Sequence, residues 1–164
     1  MAKKVADQLV DTLEKAGVRR IYAVTGDSLN EVNEAVRKNG RLRWIHVRHE
    51  ETGAYAAAAE AQLTGELACC AGSSGPGHVH LINGLYDAQR SGARVLAIAS
   101  TIPSREFGTE YFQETNTIKL FDDCSYYNQV ATTPEQFPRM LQGAMQAAIS
   151  SCGVGAVSYT HLRA

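Results

Sequence analysis

Apolar strand patterns and amphipathic helix patterns alternate along the whole of this 164-residue chain, and short glycine-containing turns join them. That alternation is the strongest constraint on the fold. Each βαβ crossover brings its two strands side by side and parallel, and the helices between them must cover the sheet. Val5, Leu9 and Leu13 recur every four residues through 4–16, and Gly17 follows where a helix ends. Residues 21–24 (IYAV) read as a short buried strand, and Ser28 with Glu31 forms a capping-box pattern that starts a second helix. Asn39-Gly40 stops it. Residues 42–47 (LRWIHV) read as a strand with a mixed edge, and His46 as a partly buried strand histidine. An alanine-rich helix over 49–64 follows, then a strand at 67–71 (LACCA). Next come a glycine-rich turn at 72–77 and a helix through Tyr86 to about Arg90. A fourth strand is predicted at 94–100 and a fifth at 126–130. A helix capped by Thr133, Pro134 and Gln136 leads to a sixth strand at 153–157. The fold class is therefore α/β, a parallel six-stranded sheet with helices on both faces, and functional groups belong at the carboxyl ends of the strands.

Composition narrows the function classes. The chain is 45% hydrophobic and 20% charged with a net charge of −1, so nothing in its charge favours nucleic acid or an anionic membrane. No apolar run approaches the roughly 20 residues of a membrane span, and no signal-peptide layout opens the chain, so a cytoplasmic protein is expected. Cys69, Cys70, Cys124 and Cys152 show no zinc-like spacing and read as reduced, mostly buried side chains.

Four strand ends carry the candidate chemistry. Thr25-Gly26 forms a tight turn after the first strand. Glu50 and Glu51 sit where a strand gives way to a helix, as a candidate carboxylate site or as first-turn acids that complement the helix dipole. The run Ala54, Ala56, Ala57, Ala58, Ala59, Ala61 lets another backbone or a cofactor ring come close, and also suits a helix in its own right. The turn Gly72-Ser73-Ser74-Gly75-Pro76-Gly77 is neither a P-loop nor a dinucleotide fingerprint, because no Lys-Ser/Thr follows the glycines and His80 stands where a third glycine belongs. Backbone lying flat against a ligand or another subunit is the better reading. His78 and His80 have no acidic or cysteine partner at metal-ligand spacing and read as helix-face residues, so no metal site is assigned. Residues 101–116 show no clean period and carry Phe107, Tyr111 and Phe112, as a functional or a disordered loop does.

Taken in order, AGV at 16–18, VTGDSLN at 24–30, RHEE at 48–51, AGSSGPG at 71–77, NGLYDA at 83–88 and YFQET at 111–115 resemble the N-terminal pyrimidine-binding domain of thiamine-diphosphate enzymes. Within that superfamily the chain is most similar to bacterial pyruvate oxidases, particularly the quinone-linked pyruvate dehydrogenases. The resemblance spans residues 3 to about 157, which form one domain (1–157); residues 158–164 (SYTHLRA) break the expected apolar strand and read as an atypical, non-native tail. It implies that Glu50 is the catalytic glutamate that hydrogen-bonds N1′ of the cofactor's aminopyrimidine. The 4′ nitrogen of that ring then takes the proton from thiazolium C2. It implies that Thr25, Gly26, Ser74 and Pro76 line the pyrimidine pocket, and that Phe112 and Gln113 reach the substrate. For the full-length enzyme it implies oxidative decarboxylation of pyruvate to acetate and CO2, with electrons passing through FAD to a quinone. It implies a homodimer or homotetramer with the cofactor between subunits. Mg2+, FAD and any contact with the inner membrane then depend on flavin and diphosphate domains that this chain does not contain, and the fragment alone is not a complete enzyme. Acetolactate synthases, 2-oxo acid decarboxylases and a stand-alone binding or assembly domain are the alternatives.

Overall fold

The computed structural model describes residues 4–160, which form a six-stranded, all-parallel sheet in the order β2-β1-β3-β4-β6-β5. Its strands are β1 (Arg20–Ala23), β2 (Arg43–His46), β3 (Ala68–Gly72), β4 (Val95–Ser100), β5 (Tyr127–Ala131) and β6 (Val154–Tyr159). The helices are α1 (Val5–Lys15), α2 (Asn30–Asn39), α3 (Glu50–Thr64), α4 (Pro76–Val79), α5 (Ile82–Ser91), α6 (Thr117–Leu120) and α7 (Phe137–Ser151). None of them is long and apolar enough to cross a membrane.

The period of two along each strand divides the core into two layers. Ile21, Cys69, Leu96, Ile98 and Val157 face α1, α2 and α7 in one cluster. Cys70, Val95, Ala97 and Ala156 face α3 and α5 in the other. Neighbours Cys69 and Cys70 thus lie on opposite faces, and burial pushes both thiols up, that of Cys70 to about 12. All four cysteines are free, and Cys152 is exposed. The α3 layer is built from small side chains, so its helices approach closely. A Cβ at Gly84 of α5 would lie 2.5 Å from Cβ of Ala54 and 2.8 Å from the backbone nitrogen of Tyr55. The alanine run of α3 therefore serves a helix-on-helix contact through Ala54, Ala57, Ala58 and Ala61.

Several details depart from the sequence reading. Ser28 does not cap α2: a short 3-10 turn, Asp27–Leu29, precedes the helix, and no side-chain bond closes its end. Glu31 instead pairs with Lys4. His46 is exposed, because β2 is the edge strand. The single helix predicted after the glycine-rich turn is two, α4 and α5, with His80 and Leu81 at the break. The last helix begins at Phe137, later than its proline suggested, while Gln136 Oε1 still accepts the Thr133 N–H at 3.3 Å. The final strand does not stop at Val157. Ser158 and Tyr159 continue it and are buried, with the hydroxyls of Ser158 and Thr160 left without partners. His161 and residues 162–164 lie outside the described residues.

The α3–α5 contact fixes where the start of α3 stands. Gly84→Ala should cost about 1–3 kcal/mol through overpacking against Ala54 and the α3 backbone, read as a lower urea midpoint with an unchanged slope.

Candidate active site

Strand order settles which loops meet. β1, β3 and β4 are consecutive and β2 flanks β1, so the four strand ends singled out in the sequence lie along one edge of the sheet. The chain leaves β1 toward the α2 layer and leaves β3 toward the α5 layer, and a crevice opens between such diverging loops. A Cβ at Gly26 would meet Cβ of Ser73 at 2.5 Å, so only glycine lets these two loops touch.

A chain of hydroxyls stitches the edge together. The Ser74 N–H donates to Ser28 Oγ at 2.9 Å, and Ser28 Oγ lies 2.7 Å from Ser100 Oγ, which donates to the Gly72 carbonyl at 3.2 Å. Since Ser100 gives its proton to the carbonyl, Ser28 donates to Ser100, and every proton in the relay is assigned. The Ser74 hydroxyl donates in turn to Gln113 Oε1 at 2.9 Å. Gly75, at φ +68°, permits that approach: a Cβ there would sit 3.0 Å from Cα of Gln113. Loop 101–116 is thereby pinned against the glycine-rich turn.

His78 provides the second pin. Its imidazole is fully buried, with Nδ1 3.0 Å from the Ser100 carbonyl and Nε2 against Thr115 Oγ1. A carbonyl can only accept, so Nδ1 carries the proton and Nε2 accepts from the threonine. Burial pushes its pKa below the ordinary histidine value and keeps the ring neutral.

Glu50 is the first residue of α3 and is only 8% exposed. His49 caps the helix, its Nδ1 accepting the Glu51 N–H at 3.3 Å, which leaves Glu51 at the surface side of the turn. One carboxylate oxygen of Glu50, Oε2, accepts from His80 Nδ1 at 3.1 Å. The other, Oε1, faces Gly77, where a Cβ would stand 3.3 Å away, and has no hydrogen-bond partner among the described residues. His80 lies flat on His49, with ring centroids 4.4 Å apart and planes inclined by 25°. Reading His80 as a residue without an acidic partner is therefore corrected. Its partner is 30 positions away in sequence, and no local spacing reveals it.

The remaining expected site residues divide. Gly26 and Ser74 belong to the stitched edge and Gln113 is tied to it. Pro76 opens α4 and Thr25 is exposed on its turn. Phe112 is 80% exposed, and its ring lies against that of Tyr111 at 5.0 Å between centroids. A buried carboxylate with one free oxygen, facing a glycine-walled crevice, suits a planar ring that offers a nitrogen to that oxygen. The residues present thus fit an aminopyrimidine.

A doubly covered parallel sheet with a buried strand-end glutamate over a glycine-walled crevice defines a cofactor-binding α/β domain. The chain belongs to the thiamine pyrophosphate enzyme family, matching its N-terminal TPP binding domain over residues 3–120. It is 56% identical over 94% of its length to a 42.6 kDa protein encoded in the isoamylase 3′ region of Pseudomonas amyloderamosa. It is 45% identical over 96% of its length to YdaP of Bacillus subtilis, whose name describes a thiamine pyrophosphate-containing protein. A pyruvate oxidase of Lactiplantibacillus plantarum is 38% identical over 91% of the chain. The chain spans 39%, 28% and 25% of these relatives' own lengths.

Two outcomes follow from the stitch and the buried imidazole. Ser28→Ala strands the buried Ser74 N–H and should cost about 1–3 kcal/mol in urea unfolding. For His78, the folded pKa lies below the unfolded value of about 6.5, so the unfolded chain binds more protons below that pH. Stability should be full above about pH 6.5 and fall as pH drops below it, and His78→Asn should flatten that fall in urea titrations across pH.

Proposed function

We propose that this chain is the pyrimidine-binding part of a thiamine-diphosphate enzyme that oxidatively decarboxylates pyruvate, with Glu50 as its acid/base residue. The observation that carries the reading is the split environment of Glu50: Oε2 is held by His80, and Oε1 is free toward Gly77. A carboxyl group so placed holds or releases a proton at ring nitrogen N1′ without having to find its rotamer first. When bound, thiamine diphosphate supplies the acidic C2–H of its thiazolium ring and so a carbon nucleophile for 2-oxo acids.

The chain's own contribution is binding and orientation. Gly26, Gly75 and Gly77 leave backbone bare in the wall, and Thr25, Ser74 and Pro76 line the pyrimidine pocket beside them. Gln113 and Phe112 stand at the rim on the side of the reacting carbonyl. Pyruvate as substrate is supported by the 38% identity to a pyruvate oxidase. FAD, a quinone acceptor and Mg2+ are proposed for the whole enzyme and are assigned no residue here. Assembly as a homodimer or homotetramer, in the cytoplasm, completes the proposal.

Adding thiamine diphosphate to the chain should shift the amide resonances of Gly26, Glu50, Ser73, Ser74, Gly75 and Gly77. Glu50→Gln should keep the fold but lose those shifts, and in the intact enzyme should slow C2 proton exchange by at least about 100-fold. Unchanged C2 exchange in that variant would rule out the role of Glu50. Acetolactate as product from pyruvate would replace the oxidase reading with the synthase one.

A further inference from the structure

The pyrimidine reading uses Glu50 and leaves two imidazoles beside it unexplained. His49, Glu50 and His80 each present a ligand atom, and the three atoms lie within 4.8 Å of one another, the one such group among the described residues. Glu50 Oε2 and His80 Nδ1 are 3.1 Å apart. Two ligands of a tetrahedral zinc ion, each about 2.0–2.1 Å from the metal, stand roughly 3.3 Å apart. An ion can therefore replace the proton between these two atoms with little movement of either, as that proton passes to His80 Nε2 or to water. Stacked imidazoles present their lone pairs side by side, so His49 must turn to complete the set. Its side chain is 49% exposed and that of His80 is 44% exposed, which leaves both rings room to do so. The carboxylate is nearly buried and anchored on the first turn of α3, and it supplies the fixed member. Two histidines and a glutamate with an open side toward solvent form the donor set of a three-ligand zinc site that keeps water in its fourth position. Imidazole ligands favour zinc, nickel or copper over magnesium and calcium.

We propose that His49, Glu50 and His80 form a binding site for a divalent transition-metal ion of the zinc class, and that this ion and the thiamine pyrimidine exclude each other because an ion on Oε2 draws charge away from the Oε1 that the ring nitrogen needs. The exclusion rests on the pyrimidine reading; the metal site does not.

The test uses the 164-residue chain with Co2+ as a spectroscopic probe. One equivalent should bind with the intense visible absorption of four-coordinate cobalt, and Zn2+ should bleach it stoichiometrically. His49→Ala and His80→Ala should each weaken binding by at least about tenfold. His80→Gln, which keeps an N–H for Glu50 but offers no imidazole, should do the same with its circular dichroism unchanged, and His46→Ala, on the edge strand, should leave binding intact. Absence of four-coordinate cobalt, or binding unaffected by both His80 variants, overturns the site. Thiamine, which lacks the metal-binding diphosphate, then probes exclusion through the Gly26 and Ser73 amide resonances. Saturating Zn2+ should weaken its binding at least about tenfold in the wild type and not in His80→Gln. Equal thiamine affinity with and without Zn2+ overturns the exclusion. A chain that binds cobalt but not thiamine sinks the pyrimidine reading and the exclusion with it, while the metal site stands on its spectrum.

Discussion

The hydroxyl relay from Ser74 through Ser28 and Ser100 to the Gly72 carbonyl holds the active edge of this domain together. A parallel sheet ends, at its carboxyl edge, in backbone groups that no further strand can pair. Open to water those groups cost little, but under packed loops each unpaired one costs a full desolvation penalty. Here the loops after β1, β3 and β4 are packed, and a buried side chain of one supplies the partner for the backbone of the next. Serine suits the task because its hydroxyl donates once and accepts twice in a very small volume. An alanine at 28 would leave an unpaired amide, and a bulkier side chain would push the glycine-rich turn off the sheet.

The rest of the site depends on that tightness. With the 72–77 turn held down, Gly26 and Gly77 come within contact of the Ser73 side chain, and two stretches of bare backbone are brought together at the crevice. Loop 101–116 then has a surface to rest on, and Gln113 and Thr115 reach Ser74 and His78 as two fixed points. A neutral buried histidine suits the second point better than a charged group would. It donates to the end of β4 and accepts from loop 101–116 without the cost of an unpaired charge. Small side chains do the corresponding work under α3, where Ala54 and Gly84 bring two helices together and set the height of Glu50 above the sheet edge.

Much of this was legible in the sequence, because the periodic signals are local. The strand and helix alternation, the two-sided cover, the glycine-rich turn and the carboxylate at the head of an alanine-rich helix can all be read from residues a few positions apart. The features that were not legible join distant positions. Ser28 and Glu31 have the spacing of a capping box, yet a 3-10 turn intervenes and the hydroxyl is used 72 residues away, on Ser100. His46 has the alternation of a half-buried strand, but burial depends on whether a neighbour pairs on its outer side, and β2 has none. His80 lies at the break between α4 and α5, and only the sheet order brings that break to the start of α3.

The Glu50–His80 contact also fixes a carboxylate that is itself nearly buried. One N–H donor offsets part of the cost of burying it and leaves the second oxygen free. Had both oxygens been satisfied by the protein, a ring nitrogen would find no partner and would have to break an existing bond to bind. Had neither been, the side chain would lose its rotamer and swing toward water. With one oxygen bound and one free, the side chain keeps its direction while the second oxygen remains open. The same economy leaves the proton of that bond exchangeable: His80 stands at the solvent-facing end of the pair, so an ion can take the proton's place between Nδ1 and Oε2 without disturbing the relay of serines beneath.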